Sequence, residues 1–243
     1  MELYKFHGTH NITFIETNAV PIDKKPLLGT GAIMVYAFGF QGWTPQTLNI
    51  FSQALDPAVV LTTHWFVNNA NDANKLIEGV LDAGGSGWVG ETRSESREGI
   101  DGRLRRYSQG DKSALSAEEA EMLDDIMDWM VGYKWEKARI TQADLDSITT
   151  TLAWDIERAA FIGRLAYNCG YFSEDEAWDL LDRTLNLAGL HFDNWLEYAI
   201  SFMKGASIVK CDSHIASMRG LWDHVCNLTE PSWGDVWAWS PLK

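Results

Sequence analysis

Cysteine is scarce in this sequence. Cys169, Cys211 and Cys226 are the only three in 243 residues, an odd number too small for a disulfide scaffold. Free thiols of this kind suit a reducing compartment. The opening Met1-Glu2-Leu3-Tyr4-Lys5 has neither the basic head nor the apolar run of a secretory signal. Long apolar runs are missing too: Leu27 to Phe40 is broken by Gly29, Gly31 and Gly39 and is too short for a bilayer. A cytoplasmic protein of bacterial type is expected. Positive charge is in short supply, with 20 Lys and Arg against 34 Asp and Glu and a formal net charge of −14. Such a field repels phosphate backbones and anionic lipid, so neither nucleic acid nor a membrane is expected as partner. A basic protein is the natural complement.

Catalytic signatures are also lacking. No Gly-x-Ser-x-Gly elbow is present, and Gly29-Thr30-Gly31 is not followed by the Lys-Ser or Lys-Thr of a phosphate loop. Cys211, His214, His224 and Cys226 are residue types that bind zinc. The single-residue gap between His224 and Cys226, however, turns their side chains to different sides of a helix. No catalytic residue, metal ligand or cofactor is assigned.

What the chain does have is aromatic mass, including 12 Trp, and helical punctuation. Residues 1–26 read as a short extended segment, since Tyr4, Phe6, Ile12, Phe14 and Ile15 alternate with Gly8, Asn11 and Asn18. Residues 27–243 read as one mainly all-α domain, an irregular bundle of about eight helices around a central one. Thr44-Pro45 opens a helix through Leu55, and Asn69 with Asp72 caps another that closes at Gly84. Ser116 with Glu119 and Ser173 with Glu176 form capping boxes. Asp193 starts a helix that Gly205 stops, and Asp212 or Ser213 starts the last one, through Val225. The tail, Trp233 to Trp239, is expected to pack back onto the bundle, because exposed indoles invite aggregation. Residues 85–112 carry six glycines and five arginines and read as a long polar loop. As the one basic patch of an acidic chain, they could instead fold back onto an acidic helix.

The central helix lies between Asp144 and Gly170 and is apolar nearly all round, with Leu152, Ile156, Ala159 and Gly163 beside Trp154, Phe161 and Leu165. Asp155, Arg158 and Arg164 sit inside that apolar set. Asp155 and Arg158, three apart, can pair along the helix, with Trp154 beside the arginine. Two readings are open for Trp154, Asp155, Arg158 and Arg164: a structural ion pair, or a charged pocket for a small anion or acyl group. Elsewhere, Glu118, Glu121, Asp125 and Asp128 share a helix face, and Glu174, Asp175 and Asp179 begin a second acidic surface. Both are candidates for meeting a basic partner.

Several of these runs appear in a fixed order: Trp154-Asp155-Ile156-Glu157-Arg158, then Gly170-Tyr171-Phe172-Ser173 with Glu176-Ala177-Trp178, then Phe192-Asp193-Asn194-Trp195, and Ser201-Phe202 with Gly205. Together with Trp65, Asn71-Asp72-Ala73 and the helix ending at Gly84, they resemble the bacterial family called domain of unknown function 1266, over roughly residues 27 to 210. The resemblance implies a mostly helical domain with no assigned activity. Members of that family often lie beside toxin loci, which implies an immunity role. Where the resembled pattern has basic residues, this chain has Gly85-Ser86 and Ala206-Ser207, which weighs against an enzyme. The expectation is therefore a protein-binding module, an immunity protein that neutralises a cognate basic toxin. The alternative is an enzyme or small-ligand receptor built on Asp155 and Arg158.

Overall fold

A computed structural model describes residues 2–5, 11–14, 20–37, 47–50, 56–82, 95–135, 138–209, 215–229, 237 and 242. The chain opens with a hairpin, β1 (Glu2–Lys5) antiparallel to β2 (Asn11–Phe14), and a 3-10 turn follows at Lys25–Gly29. The rest is mainly helical: α1 (Ala32–Ala37), α2 (Pro57–Trp65), α3 (Ala70–Leu81), α4 (Arg97–Ser108) and α5 (Ala117–Met130) come first. A two-residue ribbon of β3 (Lys134–Trp135) and β4 (Ala138–Arg139) leads to α6 (Gln142–Ser147). Four more helices complete the order: α7 (Leu152–Asn168), α8 (Glu174–His191), α9 (Trp195–Val209) and α10 (Ile215–Asn227).

Three of the caps that the sequence announces are present. The Asn69 side chain accepts from the Asp72 N–H, and the boxes at Ser116/Glu119 and Ser173/Glu176 are both closed. Helix α7 is the centre: α1, α2, α3, α8 and α9 all pack on it, and every residue from Leu152 to Ala166 is buried. A helix apolar on all sides has no other stable place. The expected central helix is really two, because Ile148 ends α6 in an extended conformation before α7 begins.

Four other expectations are corrected. Residues 85–112 are not one loop: α4 occupies Arg97–Ser108 and a 3-10 turn follows at Lys112–Ala114, while 83–94 lie outside the described residues. Two interior glycines, Gly99 and Gly102, hid this helix, each costing about 1 kcal/mol of propensity. The Ser96 cap and the contacts α4 makes with other helices offset that cost. The Thr44–Leu55 helix is absent at residues 47–50, where 47 and 48 form a bend and 49 and 50 belong to no regular element, and the remainder lies outside the described residues. Asn194 rather than Asp193 caps α9, its side chain accepting from the Glu197 N–H at 3.0 Å. Nor does α9 stop at Gly205; it runs on to Val209. Gly84, Asp212, Ser213, Trp233 and Trp239 also lie outside the described residues.

The tail does pack inward at Trp237. Its ring stacks on Trp195, with centroids 4.9 Å apart and planes 4° from parallel, and its Nε1 donates to the Gly29 carbonyl at 2.9 Å. Trp135 and Trp222 extend the cluster, so that indoles join the 3-10 turn, β3, α9 and α10. No described helix is long and apolar enough to cross a membrane.

Candidate functional site

The four residues singled out on the central helix are all buried on α7. Asp155 pairs with Arg158 one turn on and receives Arg97 from α4 at 3.0 Å. The Arg158 guanidinium also lies 5.5 Å from the centre of the Trp154 ring. Burial pulls the Arg158 pKa down, and the Asp155 charge opposes that shift. Arg164 points elsewhere, donating to the Thr47 carbonyl, while Asn168 donates to the Leu48 carbonyl at 3.3 Å. These two side chains fasten residues 47–50 to α7. So Trp154, Asp155 and Arg158 form one cluster, and Arg164 does not join it.

Helix α4 completes the arrangement from outside. Its Asp101 carboxylate accepts the Thr151 N–H at 2.7 Å and the Thr150 hydroxyl at 2.7 Å, capping the start of α7. Its Arg103 reaches Glu119 of α5 at 2.6 Å and Glu95 at 2.7 Å. The basic segment thus folds back onto an acidic helix. Any substrate for Asp155 would first have to displace Arg97.

Glu157 has the most demanding environment, and reading the sequence did not single it out. It is fully buried, accepting the Gly31 N–H at 2.9 Å, the Met34 N–H at 3.1 Å and the Tyr198 hydroxyl at 2.9 Å. Burial pushes its pKa up to about 7, and the bonds from Tyr198 and the backbone hold it from going further. It ties the start of α1 to α7 and α9. Its signal was its place on a helix with no solvent face, where any carboxylate must find donors. Lys204 on α9 is similar: its ammonium donates at 2.6 Å to the Leu145 and Ile148 carbonyls, closing the end of α6. Burial lowers its pKa to about 8.

The acidic surfaces divide differently. On α5, Glu118, Glu121 and Asp128 are exposed, whereas Asp125 is held by Arg219 of α10 at 2.7 Å. Arg219 also lies 4.6 Å over the half-exposed Trp129 ring, so Asp125 belongs to the α5–α10 joint. On α8, Glu174, Asp175 and Asp179 are exposed, although Glu174 accepts the Trp178 indole N–H at 3.1 Å. Beside Asp179 an open groove runs between α3 and α8.

These features describe a helical domain in which the Trp154–Arg158 run is buried, Ser173 and Glu176 cap a helix at the surface, and exposed carboxylates face outward. The chain belongs to the family described as "Protein of unknown function (DUF1266)", whose model matches residues 60–232, from α2 past the end of α10. No curated protein and no solved structure matches it.

Proposed function

We propose that this chain is a binding module for a positively charged protein, and specifically an immunity protein that masks a basic toxin. The observation that carries this reading is the division of charged groups between interior and surface. Inside, Asp155, Arg158, Arg97, Glu157, Arg164 and Lys204 are engaged by groups of the fold itself. Outside, in a chain of net charge −14, α5 and α8 expose carboxylates such as Glu118, Glu121, Asp128, Asp175 and Asp179. Opposed fields speed encounter and select partners more than they add raw affinity.

The test is co-purification of the tagged full chain from its own host, at low and at high salt. A basic protein in stoichiometric amount, retained best at low salt and harmful to the host when produced without this chain, is the expected result. Recovery of no basic protein at either salt concentration would sink the reading.

A further inference from the structure

The two acidic surfaces are not equivalent. Of the six carboxylates on α5, three are already occupied: Asp125 by Arg219, Asp124 by the Tyr107 hydroxyl at 2.7 Å, and Glu119 by Arg103. On α8, Glu174 and Asp182 accept from Trp178 and Asn186, while Glu176 and Asp179 border a groove of about 240 Å³. Ile77 of α3, with Phe172 and Leu180, gives the groove an apolar floor over α7. One end is bridged by Arg183, whose guanidinium takes the Glu78 carboxylate with both Nη atoms, at 2.8 Å for Nη2 to Oε2. That pair is neutral overall. The charge left on the rim is the exposed Glu176, which caps Ser173, and the exposed Asp179, which has no hydrogen-bond or ionic partner among the described residues. Asp175, a turn before Asp179, adds to the same field.

The groove is smaller than the pockets of roughly 300–1,000 Å³ that hold whole small ligands, and its size suits a side chain. An apolar floor under an anionic rim matches a long aliphatic stem ending in a cation. We propose that the α3–α8 groove is the docking site for an arginine or lysine side chain of the protein partner, its stem on Ile77 and Leu180 and its head on Asp179. An arginine can meet that carboxylate with two parallel hydrogen bonds, which adds geometry to charge. This inference rests on the partner reading above and narrows it to one face.

The experiment is a two-dimensional amide NMR titration of the full chain with three synthetic ten-residue peptides. One alternates Arg with Leu, one Glu with Leu, and one Arg with Ser. The Arg–Leu peptide is expected to shift the amides of residues 77–79 and 176–183 saturably, and the other two to bind at least tenfold more weakly. Asn74→Trp fills the groove from an exposed rim position, and Asp179→Lys reverses the rim charge; each should weaken the Arg–Leu peptide at least tenfold. Glu121→Lys with Asp128→Lys, which alters only the general field, should weaken it far less, and only at low salt. Equal shifts on α5 and α8, indifference to Asn74→Trp, or no saturable shift at all would overturn the groove. If a basic partner co-purifies and binds Asn74→Trp and Asp179→Lys at unchanged rates, the groove fails while the partner reading stands. If no basic partner exists, the reading itself fails, whatever the peptide does.

Discussion

Gly205 of α9 lies directly against Trp154 of α7: a Cβ built on it would sit 2.5 Å from the Trp154 Cβ and 3.0 Å from its Cγ. Both atoms are near rigid helical backbone, so neither can swing away. Gly205→Ala should therefore destabilise the protein, although alanine is the better helix former by about 1 kcal/mol. Overpacking of this kind costs about 1–3 kcal/mol, and a lower urea midpoint with an unchanged slope is the expected result. A raised midpoint would mean that α7 and α9 can separate freely.

That pair also shows how far the sequence could be read. Gly205 was legible as a marked position, but a glycine that ends a helix and one that lets two helices meet look alike in a single chain. The capping boxes were legible because both partners lie within four residues of each other. The all-round apolar character of α7 placed it at the centre for the same local reason. Helix α4 was hidden because much of what holds it is distant in sequence: Arg97 finds Asp155, and Asp101 finds Thr150 and Thr151. The groove was out of reach for a related reason, since Glu78 of α3 and Arg183 of α8, which bridge it, lie 105 residues apart in the chain.

The Asp155 cluster has three charged members, and its mutational cycle should show that. Arg158→Ala leaves Asp155 with Arg97 alone and opens a gap beside Trp154, for a loss on the order of 3 kcal/mol. Adding Asp155→Ala should restore part of that loss. Recovery should be incomplete until Arg97 is also replaced, because Arg97 would remain half-buried without its carboxylate. Chemical denaturation of the single, double and triple variants measures the coupling. Strict additivity among the three would show that they do not act as a unit.

Stability should rise as the solution is made mildly acidic. Glu157 titrates near 7 when folded and near 4.5 when unfolded, so between those values the folded state holds more protons. The contribution is fully present below about pH 4.5 and is lost as pH rises through 7, on the order of 3 kcal/mol in all. Lys204 works on the alkaline side: its folded value of about 8, against 10.5, means that stability increases as pH rises from 8 toward 10.5. Below about pH 4.5 the helix-capping carboxylates Asp144 and Glu176, whose values are lowered by their Thr141 and Ser173 bonds, protonate and reverse the acid trend. Urea midpoints from pH 4 to 10 should pass through a minimum near neutrality, between the Glu157 and Lys204 values. In Glu157→Gln the acid rise should vanish, whatever that variant's absolute stability.

The α5 surface gives the sharpest separation of fold from binding. Glu121 and Asp128 are exposed, and neither has a hydrogen-bond or ionic partner among the described residues. Asp125 shares their helix face but grips Arg219, and Arg219 in turn lies over Trp129. Glu121→Lys with Asp128→Lys should therefore leave the free energy of unfolding within about 0.5 kcal/mol of the parent, as exposed substitutions usually do. Asp125→Lys should do more harm, setting a lysine against Arg219, releasing the guanidinium from Trp129 and loosening α10 from α5. The effect should appear as faster amide exchange along α10 and a change in Trp129 emission. In binding, the Glu121/Asp128 pair of changes should slow association with a basic partner only modestly, and only at low salt, because it alters the general field and not the groove. A loss of affinity at high salt from those two changes would move the binding face from α8 to α5.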